Sequence, residues 1–509
     1  MDSDLPATSP TSPPARARRQ RIRRWLIAAA LAVFGLLLAQ HIGAVAGGAD
    51  SSGYLNHSRA LAEGHVRVEP RTVEGFRPQN GAWAYVPLGF KVAADHQMLV
   101  PTYPTGLPLW ILAAAQVVGW NRAGDVVLWL HAMAGVLLTY GMARAFGLER
   151  RGAAIAAVIV AGGPLYLFMA VQAMSDVPAL VWTTATLLAA WRSRARTPWA
   201  FGAGAAFAMA VLMRPTNALA LLPVALTLGL SWRRWAAFIV GGIPGGVFFL
   251  LHTHAAYGSY FTTGYGSDAG LDRTVIVPTL WHYARMLPVV FTPFVVGFLA
   301  LPLLARRMPR QTAVLLAWAL VFAGFYAAYP CTHETWWYLR FILPAAPAFI
   351  IGALLVGQTF LAARCSCRAR TVLACLILAA AFGWNTYWNE KWVTLHAASG
   401  EKVYALTTDW LRQNLPANAV IAAMQNTGAI YYYTDFTFVR WDQLDAKSFA
   451  QLASALAAQK RPLYAVLHPF ELEEHQVFSS HLPTGRWQQI GQVRDVTIWQ
   501  WSPPAPAGS

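Results

Sequence analysis

Charge is what this sequence most lacks. Only 12% of its 509 residues are Asp, Glu, Lys or Arg, about half the ~25% found in soluble domains. Hydrophobic residues reach 56%, above the ~45–50% apolar share of soluble domains even before glycine is added. A single soluble core stops growing near ~250–300 residues, so packing alone does not absorb the excess. An ordinary cytosolic enzyme and a disordered scaffold are both excluded, and the composition reads as a polytopic membrane protein. Cysteine is also scarce, with only Cys331, Cys365, Cys367 and Cys375. A disulfide framework needs spread pairs and a zinc site needs two ligand pairs. Neither pattern is present, so the four read as reduced thiols on or near the cytoplasmic face.

Acid is scarcer than base, and the net charge is +16. A nucleic-acid surface would gather that charge on one domain, interleaved with aromatics. Here arginines come in short bursts between apolar runs: Arg16 to Arg24, Arg144/Arg150/Arg151, Arg192/Arg194/Arg196, Arg233/Arg234, Arg306/Arg307/Arg310 and Arg364/Arg368/Arg370. Such bursts at helix ends are what the positive-inside rule produces, and nucleic acid is not expected as a partner. Residues 1–24 lack an apolar period and read as a disordered basic cytoplasmic tail. Residues 25–46 form an apolar run long enough to span the ~30 Å hydrocarbon layer. It lacks the short core and cleavage site of a signal peptide, so it reads as a retained helix.

Eleven further apolar runs follow, near 104–119, 125–147, 152–172, 177–191, 198–213, 215–230, 235–253, 286–305, 311–329, 341–362 and 371–388. If all cross, some Arg bursts fall on each side. If the run at 104–119, broken at its start by Pro104 and Pro108, lies in the interface instead, about eleven transmembrane helices remain and every burst falls inside. Of the eleven acidic residues between 25 and 389, ten then face outside and only Glu149 faces in. The expected organisation is a tail (1–24), a transmembrane module (25–388) with a large first outside loop (47–124), and a C-terminal extracytoplasmic domain (389–509). The last has ordinary polarity and reads as small α/β, with a helix over Val403–Asn414. Its expected strands are Ala419–Ala423, Ala429–Tyr433, Leu463–Leu467 and Val493–Trp501.

Three segments facing outside carry candidate chemistry. Asp50 follows the first helix at the membrane boundary, and SSGYLNHSRALAEG after it is amphipathic, with Tyr54, Leu55, Ser58, Leu61 and Ala62 on one face. Such a helix lies along the interface and would hold a carboxylate at headgroup depth; a helix N-cap is the competing role for Asp50. Asp176, in Met174-Ser175-Asp176-Val177-Pro178, sits at an outside turn between apolar helices, where carboxylates usually mark function. There too a cap competes, since Pro178 suits a helix start. Two acids on one face fit a general base with an orienting or metal-binding partner. The third segment, Pro101-Thr102-Tyr103-Pro104-Thr105-Gly106-Leu107-Pro108, is a rigid ledge leading into the interfacial run.

In this order the three segments resemble the integral-membrane glycosyltransferases of the GT-C type. The closer likeness is to the glycosyltransferase family 39-like branch of protein O-mannosyltransferases and aminoarabinose transferases. The matching elements are Asp50, Tyr54-Leu55, Tyr103-Pro104-Thr105-Gly106 and Asp176. Arg214-Pro215, Gly258-Ser259, Thr263-Gly264-Tyr265-Gly266 and Arg340-Phe341 with Pro344 and Pro347 add to them. The likeness covers residues 25 to about 390. One departure is Asp50-Ser51, where many members have an Asp-Glu pair; this bears on the acceptor class.

The resemblance implies sugar transfer from a polyprenyl-phosphate donor to a lipid, glycan or protein acceptor on the outer face of the bacterial inner (plasma) membrane. Asp50 would be the general base and activity would fall as it protonates. Cations are needed where charge builds on the leaving phosphate. Lys91, Arg214 and Arg340 are the candidates, and Arg340 stands beside His333, Glu334, Trp336 and Trp337. Tyr54, Tyr103 and Tyr265 complete the expected substrate site. A divalent metal ion on His254, His333, Glu334 and Asp176 is a further expectation, although no metal spacing is visible. Tyr431-Tyr432-Tyr433 suits sugar stacking or a core equally. The rival readings are a transporter or flippase of lipid-linked sugars and a non-catalytic assembly factor. Transporters show paired halves with midplane acids; this chain has no repeat, and its acids lie at the outer boundary.

Overall fold

The computed structural model describes residues 13–266, 270–362, 364–473 and 476–504. Its first helix, α1 (Pro13–His41), starts well before the apolar run. The tail expected to be disordered is therefore helical from Pro13, and residues 1–12 lie outside the described residues. Arg, Ala and Gln are good helix formers, and extending an existing apolar helix avoids the cost of a new nucleus.

A short link leads to α2 (Ala49–Ala62), whose residues 51–58 are all buried. The first loop then forms a small antiparallel pair, β1 (Phe90–Val92) with β2 (Leu99–Pro101). Helices α3 (Gly106–Val118) and α4 (Trp120–Ala145) follow. Next come α5 (Arg150–Gly162) and α6 (Pro164–Ala170), bent by 56° where Gly163-Pro164 interrupts the ladder. α7 (Asp176–Arg192) and α8 (Trp199–Met213) lead through a 3₁₀ turn at Pro215–Ala220 into α9 (Leu221–Leu228). Then come α10 (Trp232–Tyr257), α11 (Ile276–Val290) and α12 (Pro309–Ala327). The 3₁₀ stretch Pro293–Leu304 turns 114° away from α11, a break placed where prolines deny the backbone its donors. A second 3₁₀ stretch, Trp336–Ala345, runs into α13 (Ala346–Ala362), and α14 (Cys367–Lys391) closes the bundle.

Among the described residues five helices are long and apolar enough to cross a membrane, and up to seven if each bent pair is one span; 25–41, 106–118, 199–213 and 215–228 are shorter apolar helices. By length and composition these helices suit a membrane-spanning bundle. Backbones approach closely between α8 and α10. A Cβ at Gly204 would overlap the Phe238 carbonyl, and one at Gly241 would overlap the Phe201 carbonyl. Small residues permit this kind of close packing in membranes. Gly204→Val should therefore lower the melting temperature in detergent, by overpacking worth about 1–3 kcal/mol. Gly246→Ala, where an added Cβ meets nothing within 4 Å, is the control; equal melting of the two variants would rule out this account.

Beyond α14, α15 (Ala397–Asn414) precedes a five-stranded sheet of order β4-β3-β5-β7-β6. Its strands are β3 (Val420–Ala422), β4 (Thr437–Val439), β5 (Leu463–Leu467), β6 (Arg486–Val493) and β7 (Val496–Ser502). β3 pairs in parallel with β4 and β5, while β7 runs antiparallel to β5 and β6. The tyrosine run expected as a strand is instead helix α16 (Thr427–Tyr433), and α17 (Ala446–Ala458) follows β4. α16 packs against α2, so closely that a Cβ at Gly428 would overlap the Ser52 hydroxyl. That contact overrides the strand preference of three tyrosines in a row. All four cysteines are free.

Candidate active site

Both acids lie in the first turn of a helix, yet neither caps it. The N-cap residue of α2 is Gly48 and that of α7 is Ser175, and neither supplies a side-chain cap. Each carboxylate is turned instead to an arginine distant in sequence. Asp50 Oδ2 accepts from Arg340 Nη2 at 3.1 Å, with the Asp50 side chain about a quarter exposed (24%). Asp176, fully buried, accepts at Oδ1 from Arg214 Nη2 at 2.7 Å. Such charge-assisted pairs are the strong class of hydrogen bond.

The two pairs belong to one network. Ser175 Oγ accepts from the Tyr54 hydroxyl at 2.7 Å and from Arg214 Nε at 3.2 Å. The Phe341 ring lies between the guanidinium groups, 5.3 Å from Arg340 and 5.7 Å from Arg214, within cation–π range. Arg340 Nη1 also meets the Met174 sulfur at 3.6 Å. On the other side, Tyr54 and Tyr103 rings are 5.2 Å apart, and Tyr265 stands edge-on to Tyr103 at 6.1 Å. Burial, and then the Asp50 charge, push the Tyr103 and Tyr54 phenols well above the ordinary tyrosine range. Both stay protonated and act as hydroxyl donors. Three buried atoms of the network have no partner: Arg340 Nε, Arg214 Nη1 and Asp176 Oδ2. Buried donors without partners are rare in folded proteins, and two guanidinium groups about one ring, each with a free donor, suit an anion.

Other expected site residues lie outside this network. Lys91, on β1, reaches the Thr263 carbonyl at 3.4 Å with its ammonium 5.2 Å from the Tyr257 ring centre. Burial lowers its pKa. Its bond to Thr263 sets it beside the turn carrying Tyr265, which packs on the first loop so closely that a Cβ at Gly264 would overlap the Thr102 carbonyl. His333 ends a 3₁₀ turn (Pro330–His333), with Nδ1 buried and unpartnered, and Glu334 follows beside Cys331. Trp336 stacks on Trp392 at 4.1 Å. The tyrosine faces of α16 are covered by arginines, Arg59 at 3.8 Å over Tyr432 and Arg71 at 4.3 Å over Tyr431. Among the described residues no group of three His, Cys, Asp or Glu side chains is placed to hold a metal ion. Asp176 is engaged by Arg214, and His254 stacks on Tyr260 at 4.4 Å.

Sequence reasoning gave no role to Ser175 or Phe341, although both stand in motifs it drew on, and it did not single out Glu401. Ser175 and Phe341 adjoin residues that were singled out, so proximity in sequence was a usable signal. Glu401 had none.

No protein-family model matches the chain, and no curated protein matches it in sequence. Solved structures do match in fold. ArnT from Cupriavidus metallidurans, bound to undecaprenyl phosphate, aligns with a TM-score of 0.59 at 15% identity, over 93% of this chain and 97% of that one. The Archaeoglobus fulgidus oligosaccharyltransferase, tethered to an acceptor peptide, aligns at 0.52 and 12%, over 94% of this chain and 74% of that one. The arabinofuranosyltransferase AftD from Mycobacteria aligns at 0.54 and 16%, over 96% of this chain but only 40% of that one. The fold is of the GT-C type.

Proposed function

We propose that this protein is a glycosyltransferase that moves a sugar from a polyprenyl-phosphate donor to an acceptor on the extracytoplasmic face, with Asp50 as general base. The observation that carries this reading is the convergence of Asp50–Arg340 and Asp176–Arg214 on one tyrosine-lined cluster with two unpartnered guanidinium donors. Asp50 takes the proton of the acceptor hydroxyl, whose oxygen bonds to the anomeric carbon as the bond from that carbon to the phosphate oxygen breaks. The departing polyprenyl phosphate carries the electron pair, and Arg340 and Arg214 stabilise its charge. Asp176 holds Arg214 in place, and Tyr54 and Tyr103 orient the sugar. Lys91 and Tyr265 extend the site along the first loop, with His333 and Glu334 at its far rim.

This reading sets the chain in the bacterial inner membrane with a cytoplasmic N-terminus. Eleven helices cross, counting α7 and the three other shorter apolar ones, and α3 lies in the interface; at 13 residues it is roughly 20 Å long. The C-terminal sheet then faces outside. Near-complete mutual coverage with ArnT favours the aminoarabinose-transferase side of the fold, since the two chains are of similar length.

The test is mass spectrometry of polyprenyl phosphates extracted from cells carrying Asp50→Asn. One lipid-phospho-sugar should accumulate, naming the donor. An unchanged lipid profile, with the variant present in the membrane, would shift the reading to a transporter or assembly role.

A further inference from the structure

The group that fixes the start of α2 comes from the far end of the chain. α2 opens on Gly48, which has no side chain to cap it. The Gly48 backbone N–H donates instead to Glu401 Oε2 at 2.9 Å, and the Ser51 hydroxyl reaches the same oxygen at 3.5 Å. The link preceding α2 leaves room for this carboxylate, since a Cβ at Gly47 would overlap it. Glu401 projects from the first turns of α15, and its negative charge complements the positive end of α2.

Other bonds clamp the same helix to the C-terminal region. The Ala46 N–H donates to the Tyr433 hydroxyl at 3.0 Å, just before α2. Asn56 Nδ2 donates to the Gly428 carbonyl at 3.0 Å, and Arg59 Nη1 to the Tyr432 carbonyl at 2.7 Å. Leu88 N–H donates to Thr427 Oγ1 at 3.1 Å, bringing in the first loop. Of these C-terminal partners only Glu401 hydrogen-bonds to the turn that contains Asp50, which Gly428 also packs against at Ser52. Asp50 is two residues beyond the capped amide, so any fraying of that turn moves its carboxylate relative to Arg340.

We infer that Glu401 is a positioning residue for Asp50, a cap supplied from the C-terminal region that holds the first turn of α2 in its working geometry. The inference rests on the reading of Asp50 as the base. It gives the C-terminal region a task at the reacting centre besides any contact with acceptor.

The test uses full-length protein in membranes or detergent and three variants. Glu401→Gln keeps an oxygen that accepts from Gly48, Glu401→Ala removes it, and Asp50→Asn is the reference. Hydrogen exchange is followed at residues 46–56, and turnover is measured on the lipid-linked sugar that accumulates in Asp50→Asn cells. Glu401→Ala should speed exchange at Gly48 and Ser52 by about tenfold. It should also lower the maximal rate by on the order of ten- to a hundredfold, the scale of a 1 Å misplacement, with the donor KM unchanged. Glu401→Gln should restore both. Unchanged exchange in Glu401→Ala, or faster exchange with wild-type turnover, overturns the positioning role while leaving Asp50 as the base. Wild-type turnover by Asp50→Asn overturns the base reading and the positioning role with it. If Glu401→Ala does not accumulate, Glu401→Asp takes its place, with an intermediate loss of rate expected and no loss counting against the role.

Discussion

Asp50→Asn should slow sugar transfer by about 10²–10⁴-fold while leaving the protein at its normal level in the membrane. The substitution preserves size, and the amide oxygen can still accept from Arg340 Nη2, so the 3.1 Å contact has a neutral substitute. What disappears is the ability to take a proton from the acceptor hydroxyl. Arg340 is only 12% exposed, but the amide keeps an acceptor against it, so folding should be little affected. Asp50→Ala removes the base and the arginine's partner together, so it should be no more active than Asp50→Asn and less stable. The measurement is single-turnover consumption of the accumulating lipid-linked sugar by purified protein. A loss smaller than about tenfold would remove Asp50 from the role of base.

The sequence disclosed one half of each ion pair more clearly than the pair itself. Asp50 and Asp176 stand out because carboxylates are rare in so apolar a chain and both fall at helix starts. Arg214 and Arg340 stand out for the same reason, as single cations away from the cytoplasmic bursts. Which acid meets which arginine was not legible, since 290 residues separate Asp50 from Arg340 and no periodicity acts over that distance. Capping, the natural local alternative, would have used the same two acids at the same positions. Only the fold distinguishes them, by bringing an arginine to each. The membrane bundle itself was legible because long apolar runs have few other uses. Its breaks at Gly163 and before Pro293 follow from prolines that were in view. The C-terminal region was less so. Tyr431-Tyr432-Tyr433 prefers a strand locally, and the close approach of Gly428 to Ser52, which makes it a helix, is a contact between distant segments. Glu401 was invisible for a related reason: in a segment of ordinary polarity, one glutamate carries no signal until its partner is known.

The second large effect concerns stability rather than rate. Arg214→Ala should destabilise the protein by about 3–5 kcal/mol, the usual consequence of stranding one partner of a buried ion pair. Asp176 has no exposure at all, and its Oδ2 already lacks a partner, so removing Arg214 leaves the carboxylate without its ion-pair partner. Ser175 would lose a donor as well. Restoring neutrality should reverse most of this. Asp176→Leu combined with Arg214→Met replaces both charges by apolar groups, an exchange that is often neutral or stabilising by about 1–4 kcal/mol. The double variant should therefore melt near the wild-type temperature in detergent, followed by the fluorescence of the 22 tryptophans. It should nevertheless remain defective in transfer, because the guanidinium proposed to stabilise the leaving phosphate is gone. A stable, fully active double variant would reduce the pair to a structural fastening. A double variant as unstable as Arg214→Ala alone would mean that packing around Ser175 and Phe341, not charge, holds this part of the site together.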